Sequence, residues 1–193
     1  MSAAVHDLNR EVSLQLLKSV RAFAIRTPRG QKEPGHFKWD PRTNNKTTSD
    51  QIIFDLERSD DNLGVHLFGP VVDVDIDSDN PYLIPALDYF LPPTAHVWGR
   101  ASRPRTHRLY ELSGAKAEFD SKMFPFLGTI QKFESIAVEI RGGQMRNGEY
   151  SLLPGSLHPS GEAYEWSDLR AARSTPVTVD IHRIANAVRY GCV

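Results

Sequence analysis

The sequence predicts an α+β fold with a mainly antiparallel sheet. Three observations carry this: helical spacing of apolar residues near both ends, short β-branched runs between turn residues in the middle, and a composition of 40% hydrophobic and 24% charged residues, ordinary for a packed domain. The 193 residues suit one compact core with an added subdomain, since a single domain commonly holds roughly 100–150. Lys and Arg number 23 against 24 Asp and Glu, so no net field marks a bulk binder of nucleic acid or membrane surface. A local patch must hold any such partner. The single cysteine, Cys192, excludes an intrachain disulfide framework and a cysteine-based zinc site and makes a reducing, cytoplasmic setting the expectation. The apolar runs near the N-terminus are too short for a signal peptide or a spanning helix, so no membrane role is expected.

Taken in order, residues 8–23 place Leu8, Val12, Leu14, Leu16, Leu17, Val20 and Phe23 near helical spacing, which predicts an amphipathic helix. Residues 26–48, rich in Pro, Gly, Lys and Asn around Trp39, read as a long loop. A short helix over 50–58 follows. Val65, Leu67, Val71, Val72, Val74 and Ile76 surround Gly69-Pro70 and predict a hairpin over 63–77 that ends in a buried strand. Asn80-Pro81 then gives a capped helix start with proline in the first turn, and 82–91 fill that helix. Strands over 95–98, 106–112, 135–141 and 150–153 and a helix over 179–190 complete the chain.

The sharpest chemical feature is Asp73-Val74-Asp75. Alternate residues of a strand share a face about 6–7 Å apart, so both carboxylates project together while Val72, Val74 and Ile76 face the core. Paired carboxylates suit magnesium or manganese at phosphoryl-transfer sites; the structural alternative is a solvated strand end before Ser78-Asp79-Asn80. Asp77 shares the periodicity but sits where the strand should stop. In a second acidic strand, Ile136, Val138 and Ile140 take one face and leave Glu139 with Arg141 on the other. Glu139 is the candidate third carboxylate and Arg141 a phosphate partner. Between the two acidic strands lie Arg100, Arg103, Arg105, His107 and Arg108 with no acid among them. This is either a solubilising loop or positive charge that draws an anion toward the acids. Ser156-Leu157-His158 sits in a Pro/Gly-rich loop without nucleophile-elbow glycines, so it reads as oxygen and imidazole donors to a triphosphate or base.

The order of these motifs resembles the bifunctional DNA primase/polymerase (prim-pol) family of the archaeo-eukaryotic primase superfamily. The resemblance takes in Asp73-x-Asp75, the basic segment ending at His107, Glu139 with Arg141, the string from Pro154 through Ser156, His158, Pro159, Ser160 and Gly161 to Tyr164 and Trp166, and also Lys32-x-Pro34…Trp39 and Asn62-Leu63-Gly64-Val65. It implies an RNA-recognition-like sheet beside a smaller α/β subdomain. It also implies one catalytic domain over residues 1–193, able to serve as the N-terminal module of a larger replication protein, with a helicase module or partner. By resemblance, Asp73, Asp75 and Glu139 are the catalytic acids holding two Mg2+ or Mn2+ ions. His107, Arg105, Arg141, Ser156 and His158 belong to nucleotide binding, and Arg100, Arg103, Arg108 and Lys32 to DNA or phosphate. His107 matches the family's nucleotide-binding histidine by order. Ser156-Leu157-His158 matches its small-x-His pattern literally but follows Glu139. The implied activity is template-directed nucleotidyl transfer from NTP or dNTP along a single-stranded DNA template. Two rivals stand beside it: a metal-dependent nuclease or phosphohydrolase using the same acids, and a non-catalytic single-stranded DNA-binding module with Trp98, Trp166 or Tyr110 available for stacking.

Overall fold

The computed structural model describes residues 3–20, 23–33, 46–67, 70–113, 122–125, 136–142 and 150–192. Pro34, Trp39 and Gly69, named in the sequence reading, and the first residue of the strand expected over 135–141 lie outside them. Among the described residues four α-helices and ten strands follow in the order α1 (Ala3–Ser19), β1 (Phe23–Thr27), α2 (Lys46–Leu56), β2 (Asn62–His66), β3 (Val71–Ile76), α3 (Leu83–Phe90), β4 (Val97–Arg100), β5 (Arg103–Leu112), β6 (Lys122–Pro125), β7 (Ile136–Gly142), β8 (Tyr150–Leu152), β9 (Tyr164–Trp166), β10 (Thr178–Val179) and α4 (Ile181–Gly191). Helices joined to mainly antiparallel sheets make the α+β class expected from the sequence.

The strands form two sheets. A small antiparallel sheet runs β1-β2-β8. A large one runs β6-β7-β3-β5-β4-β9, with β10 added in parallel to the end of β5. The expected hairpin over 63–77 does not form, because β2 pairs with β1 and β8 whereas β3 sits between β5 and β7. Nearly every residue of both strands is buried, and such strands need a partner on each edge, which a two-stranded hairpin cannot supply. The first helix stops short of Phe23, which opens β1; Ala24 in that strand donates its N–H to Ser49 Oγ at the start of α2. β1 therefore takes the first residues of the expected 26–48 loop, and α2 takes its last.

Two apolar clusters flank the large sheet. On one face Val72, Val74, Ile76, Tyr110, Val138 and Ile140 pack under α3 and α4, against Leu83, Leu87, Ile184 and Val188. On the other, Trp98, Leu109 and Trp166 meet Leu63 and Val65 of the small sheet and Val12, Leu16 and Leu17 of α1. The molecule thus layers α3 and α4, then the large sheet, then the small sheet with α1 and α2. Asn80 Oδ1 accepts the Tyr82 N–H at 2.9 Å and sets the start of α3. Asp180 caps α4 by accepting from the His182 N–H at 2.7 Å, as an N-cap aspartate should. Among the described residues no helix is long and apolar enough to cross a membrane.

Candidate active site

The pleat of β3 sends Val72, Val74 and Ile76 to the helices and Asp73 and Asp75 to the opposite face. Residues opposed on neighbouring strands share a face. Asp75 is opposed by His107 on β5 and by Glu139 on β7, and Asp73 by Arg141. Asp75, Glu139, His107 and Arg141 line an open cleft of about 420 Å3 with Lys32, Arg100, Arg103, Tyr150 and Tyr164. The structure thus brings the two acidic strands and the histidine together, as the order of motifs implied.

Within the cleft the charges are paired. Arg141 bridges the two acids, Nη2 lying 2.6 Å from Asp75 Oδ2 and Nε 2.7 Å from Glu139 Oε2. His107 Nδ1 lies 2.9 Å from Asp73 Oδ2 and 3.4 Å from Asp75 Oδ1. An ionised carboxylate only accepts, so Nδ1 carries the proton. Trp98 stacks on the His107 ring at 4.9 Å with 11° between planes. Trp98 is itself held by its indole N–H, which donates to Leu152 O at 3.0 Å.

Asp73 differs from its neighbours. It is wholly buried and does not line the cleft. Its Oδ2 accepts from Ser151 Oγ at 2.6 Å as well as from His107, and its Oδ1 accepts the Arg108 N–H at 3.1 Å. Burial alone would push its carboxyl up, but the His107 charge and hydrogen bond, Ser151 and Arg141 together hold it below the usual aspartate value. Burial pushes the Asp75 carboxyl up, and His107 and Arg141 offset this only in part. For His107 burial acts downward, yet the two aspartates outweigh it and raise the imidazole.

The arginine segment divides. Arg100 lines the cleft, its Nη1 lying 3.0 Å from Glu162 Oε2 and 3.3 Å from His158 Nδ1. Arg103 also lines it, tied to Asp77 and, at 2.7 Å, to Asp79. Asp77 is thus an arginine's partner just past Ile76, where β3 ends and where the sequence places the strand's stop. Arg105 and Arg108 go elsewhere: both reach Asp88 of α3, at 2.8 and 2.6 Å, and Arg108 is buried beneath that helix. Neither lines the cleft, so the expectation of nucleotide or phosphate contact does not match their placement.

Ser156 is placed differently from the sequence expectation as well. It is buried, and its Oγ accepts the Leu63 N–H and donates to Leu63 O, both at 2.9 Å. It clasps the 153–164 loop to β2, its hydroxyl turned to the Leu63 backbone. His158 is half-buried beside Arg100 and Ser160, edge-on to Tyr164. Trp98, Trp166 and Tyr110 are buried, and their polar atoms go to Leu152 O, Ser13 Oγ and Pro92 O. The DNA-stacking rings of the binding-module rival are therefore core. Ser151 and Tyr150 are site residues that sequence reasoning missed, and Tyr164 was named only as part of the motif string; the one signal for the first two was a serine inside the apolar run Tyr150-Ser151-Leu152-Leu153.

Among the described residues, no group of three or more His, Cys, Asp or Glu side chains is arranged around a common metal position. Asp75 and Glu139 are hard oxygen donors on the cleft wall and fit magnesium or manganese in donor chemistry, with Arg141 standing between them. Asp73 keeps both oxygens on protein donors.

No curated protein matches the chain. The family model described as bifunctional DNA primase/polymerase, N-terminal, matches residues 8–178, a span holding both acidic strands, the arginine segment and the 154–166 loop. With that match laid over a cleft built from the same motifs, the chain belongs to the bifunctional DNA primase/polymerase (Prim-Pol) family, whose role is of primase or polymerase type.

Proposed function

We propose that the cleft performs template-directed nucleotidyl transfer. A 3′-hydroxyl attacks the α-phosphate of a bound NTP or dNTP in line and pyrophosphate leaves, so that primers are made or extended on single-stranded DNA in the replication of a plasmid, phage or other mobile element. The observation that carries this reading is the convergence of Asp75, Glu139, His107 and Arg141 from three adjacent strands on one open cleft rimmed by Lys32, Arg100 and Arg103. Acids beside a cluster of cations are what a triphosphate and its counter-ions require.

Asp75 and Glu139 are the carboxylates assigned to Mg2+ or Mn2+, and Asp73 joins them either through the second lone pair of Oδ1, beside the Arg108 N–H, or by releasing Ser151 or His107 from Oδ2. Bound there, such an ion supplies Lewis-acid stabilisation to the phosphates. The chain's own residues do the rest. His107, its Nδ1 held by Asp73, turns its other ring nitrogen away from that carboxylate and donates to a phosphate oxygen. Arg141 moves its charge from Asp75 and Glu139 to the triphosphate. Arg100 and Lys32 neutralise triphosphate or template phosphates at the rim, and His158 steadies Arg100. A helicase module or partner would supply unwound template.

The test is synthesis from labelled nucleotides on a DNA template with magnesium or manganese, with and without primer. Asp75→Ala should fold and lose product, and Asp73→Ala should lose product with a lowered Tm, because it strips a buried acceptor from His107, Ser151 and the Arg108 N–H. Retained synthesis in Asp75→Ala removes the assignment, and release of nucleotides from DNA without added triphosphate points to hydrolysis instead.

A further inference from the structure

Among the buried hydrogen bonds where the two sheets meet is one, from Ser151 to Asp73, that the acid and histidine motifs leave out. Ser151 belongs to β8 of the small sheet, yet its Oγ reaches Asp73 Oδ2 of the large sheet at 2.6 Å, and both residues are buried. The same carboxylate oxygen takes His107 Nδ1 at 2.9 Å. The next residue of β8 holds the other flank of the imidazole: Leu152 O accepts the indole N–H of Trp98, whose ring lies flat on His107 at 4.9 Å. Tyr150, the residue before, lines the cleft. Three successive residues of one short strand thus touch the edge, the face and the mouth of the histidine's surroundings.

A carboxylate oxygen shared by two donors is fixed in two directions. Without the serine, Asp73 keeps His107 on Oδ2 and the Arg108 N–H on Oδ1 at 3.1 Å, and with one of its three donors gone its χ2 torsion can settle at a new angle, taking Nδ1 with it. We propose that Ser151 is a positioning residue: through Asp73 it sets the orientation of His107 toward the nucleotide, so the small sheet acts as the brace of a site whose other groups stand on the large one. This deepens the nucleotidyl-transfer reading and rests on it for its kinetic part. Supports behind an active-site ligand typically cost on the order of tenfold or more when removed.

The experiment compares Ser151→Ala, Ser151→Cys and Ser151→Thr with the intact chain. Alanine removes the donor, cysteine keeps the volume with a poor donor, and threonine keeps the hydroxyl. The first readout is independent of activity: the ring-carbon proton signal of His107 by NMR at one pH, identified by its loss in His107→Gln. Stacking under Trp98 displaces it by ring current. In Ser151→Ala and Ser151→Cys it should move toward the unstacked position, and in Ser151→Thr it should stay. The second readout is nucleotide kinetics: KM should rise and kcat fall in the first two variants, about tenfold in kcat/KM, with recovery in Ser151→Thr. A lowered Tm with an unmoved His107 signal overturns the proposal and leaves Ser151 a structural residue. If alanine prevents folding, cysteine against threonine gives the same contrast. If the intact chain synthesises nothing, the nucleotidyl-transfer reading fails, and the NMR comparison still decides the positioning claim.

Discussion

Arg100 and Arg103 face the open cleft, whereas Arg105 and Arg108, a few residues on, are spent on one aspartate beneath a helix. The four residues are one type in one run, and their environments differ more than their spacing suggests. Strict alternation would put Arg103, Arg105 and His107 on one face and Arg108 on the other. The odd one is Arg105, whose φ of +60° is left-handed and throws its side chain to the α3 side. The lesson is that charge in a run is allotted by backbone conformation. Half of it faces the cleft, held by Glu162, Asp77 and Asp79 that an anion must displace, and half is structural, holding α3 to the sheet.

That contrast breaks most sharply at Arg108. Arg108→Met removes a buried partner of Asp88, which is one third exposed and keeps Arg105, and the stability read by urea unfolding should fall by about 1.5 kcal/mol. Synthesis per folded molecule should change little. Next comes pH. The raised His107 imidazole stabilises the fold below its ordinary value of 6.5, and that contribution is lost as pH rises through the folded value. The lowered Asp73 carboxyl stabilises above its ordinary 3.8 and is lost as pH falls below it. Thermal unfolding should therefore show the pair's contribution largest between those values and declining on the alkaline side, and His107→Gln should remove the alkaline decline. On the cleft side, Arg100→Ala should weaken nucleoside triphosphate binding about tenfold in a fluorescence titration and flatten its salt dependence, with less than about 1 kcal/mol of stability lost. The smallest effect is at the backbone itself. Arg105→Gly relieves the left-handed cost while losing a half-exposed ion pair, so calorimetry should show a gain of about 0.5 kcal/mol.

Much of the site was legible because it obeys periods. Val72, Val74 and Ile76 against Asp73 and Asp75 is an alternation that any pleated strand enforces, and Glu139 with Arg141 repeats it on β7. What alternation cannot carry is pairing between distant strands. It says nothing of which sheet β2 joins, and so the hairpin over 63–77 read as local contact when both strands had remote partners. It did not reveal Ser151, an ordinary serine whose partner lies on another sheet. Ser156 was legible as important but not in its role. A hydroxyl that both accepts from and donates to Leu63 looks in sequence like one that waits for a ligand. The strand β9, three residues long, lies below the length at which a pattern can declare itself.

The return of the chain to the small sheet at β8 also has a bearing on how the molecule is born. Ribosomal synthesis delivers β1 and β2 early, but their third strand appears only after every strand from β3 to β7 has emerged. Until then the nascent chain carries a two-stranded ribbon, marginal in water and open along the edge of β2. Pairing between such remote segments makes for slow closure. Seating Ser151 on Asp73 therefore waits for β8, so a folding chain acquires its acidic strands first and its ordered histidine later.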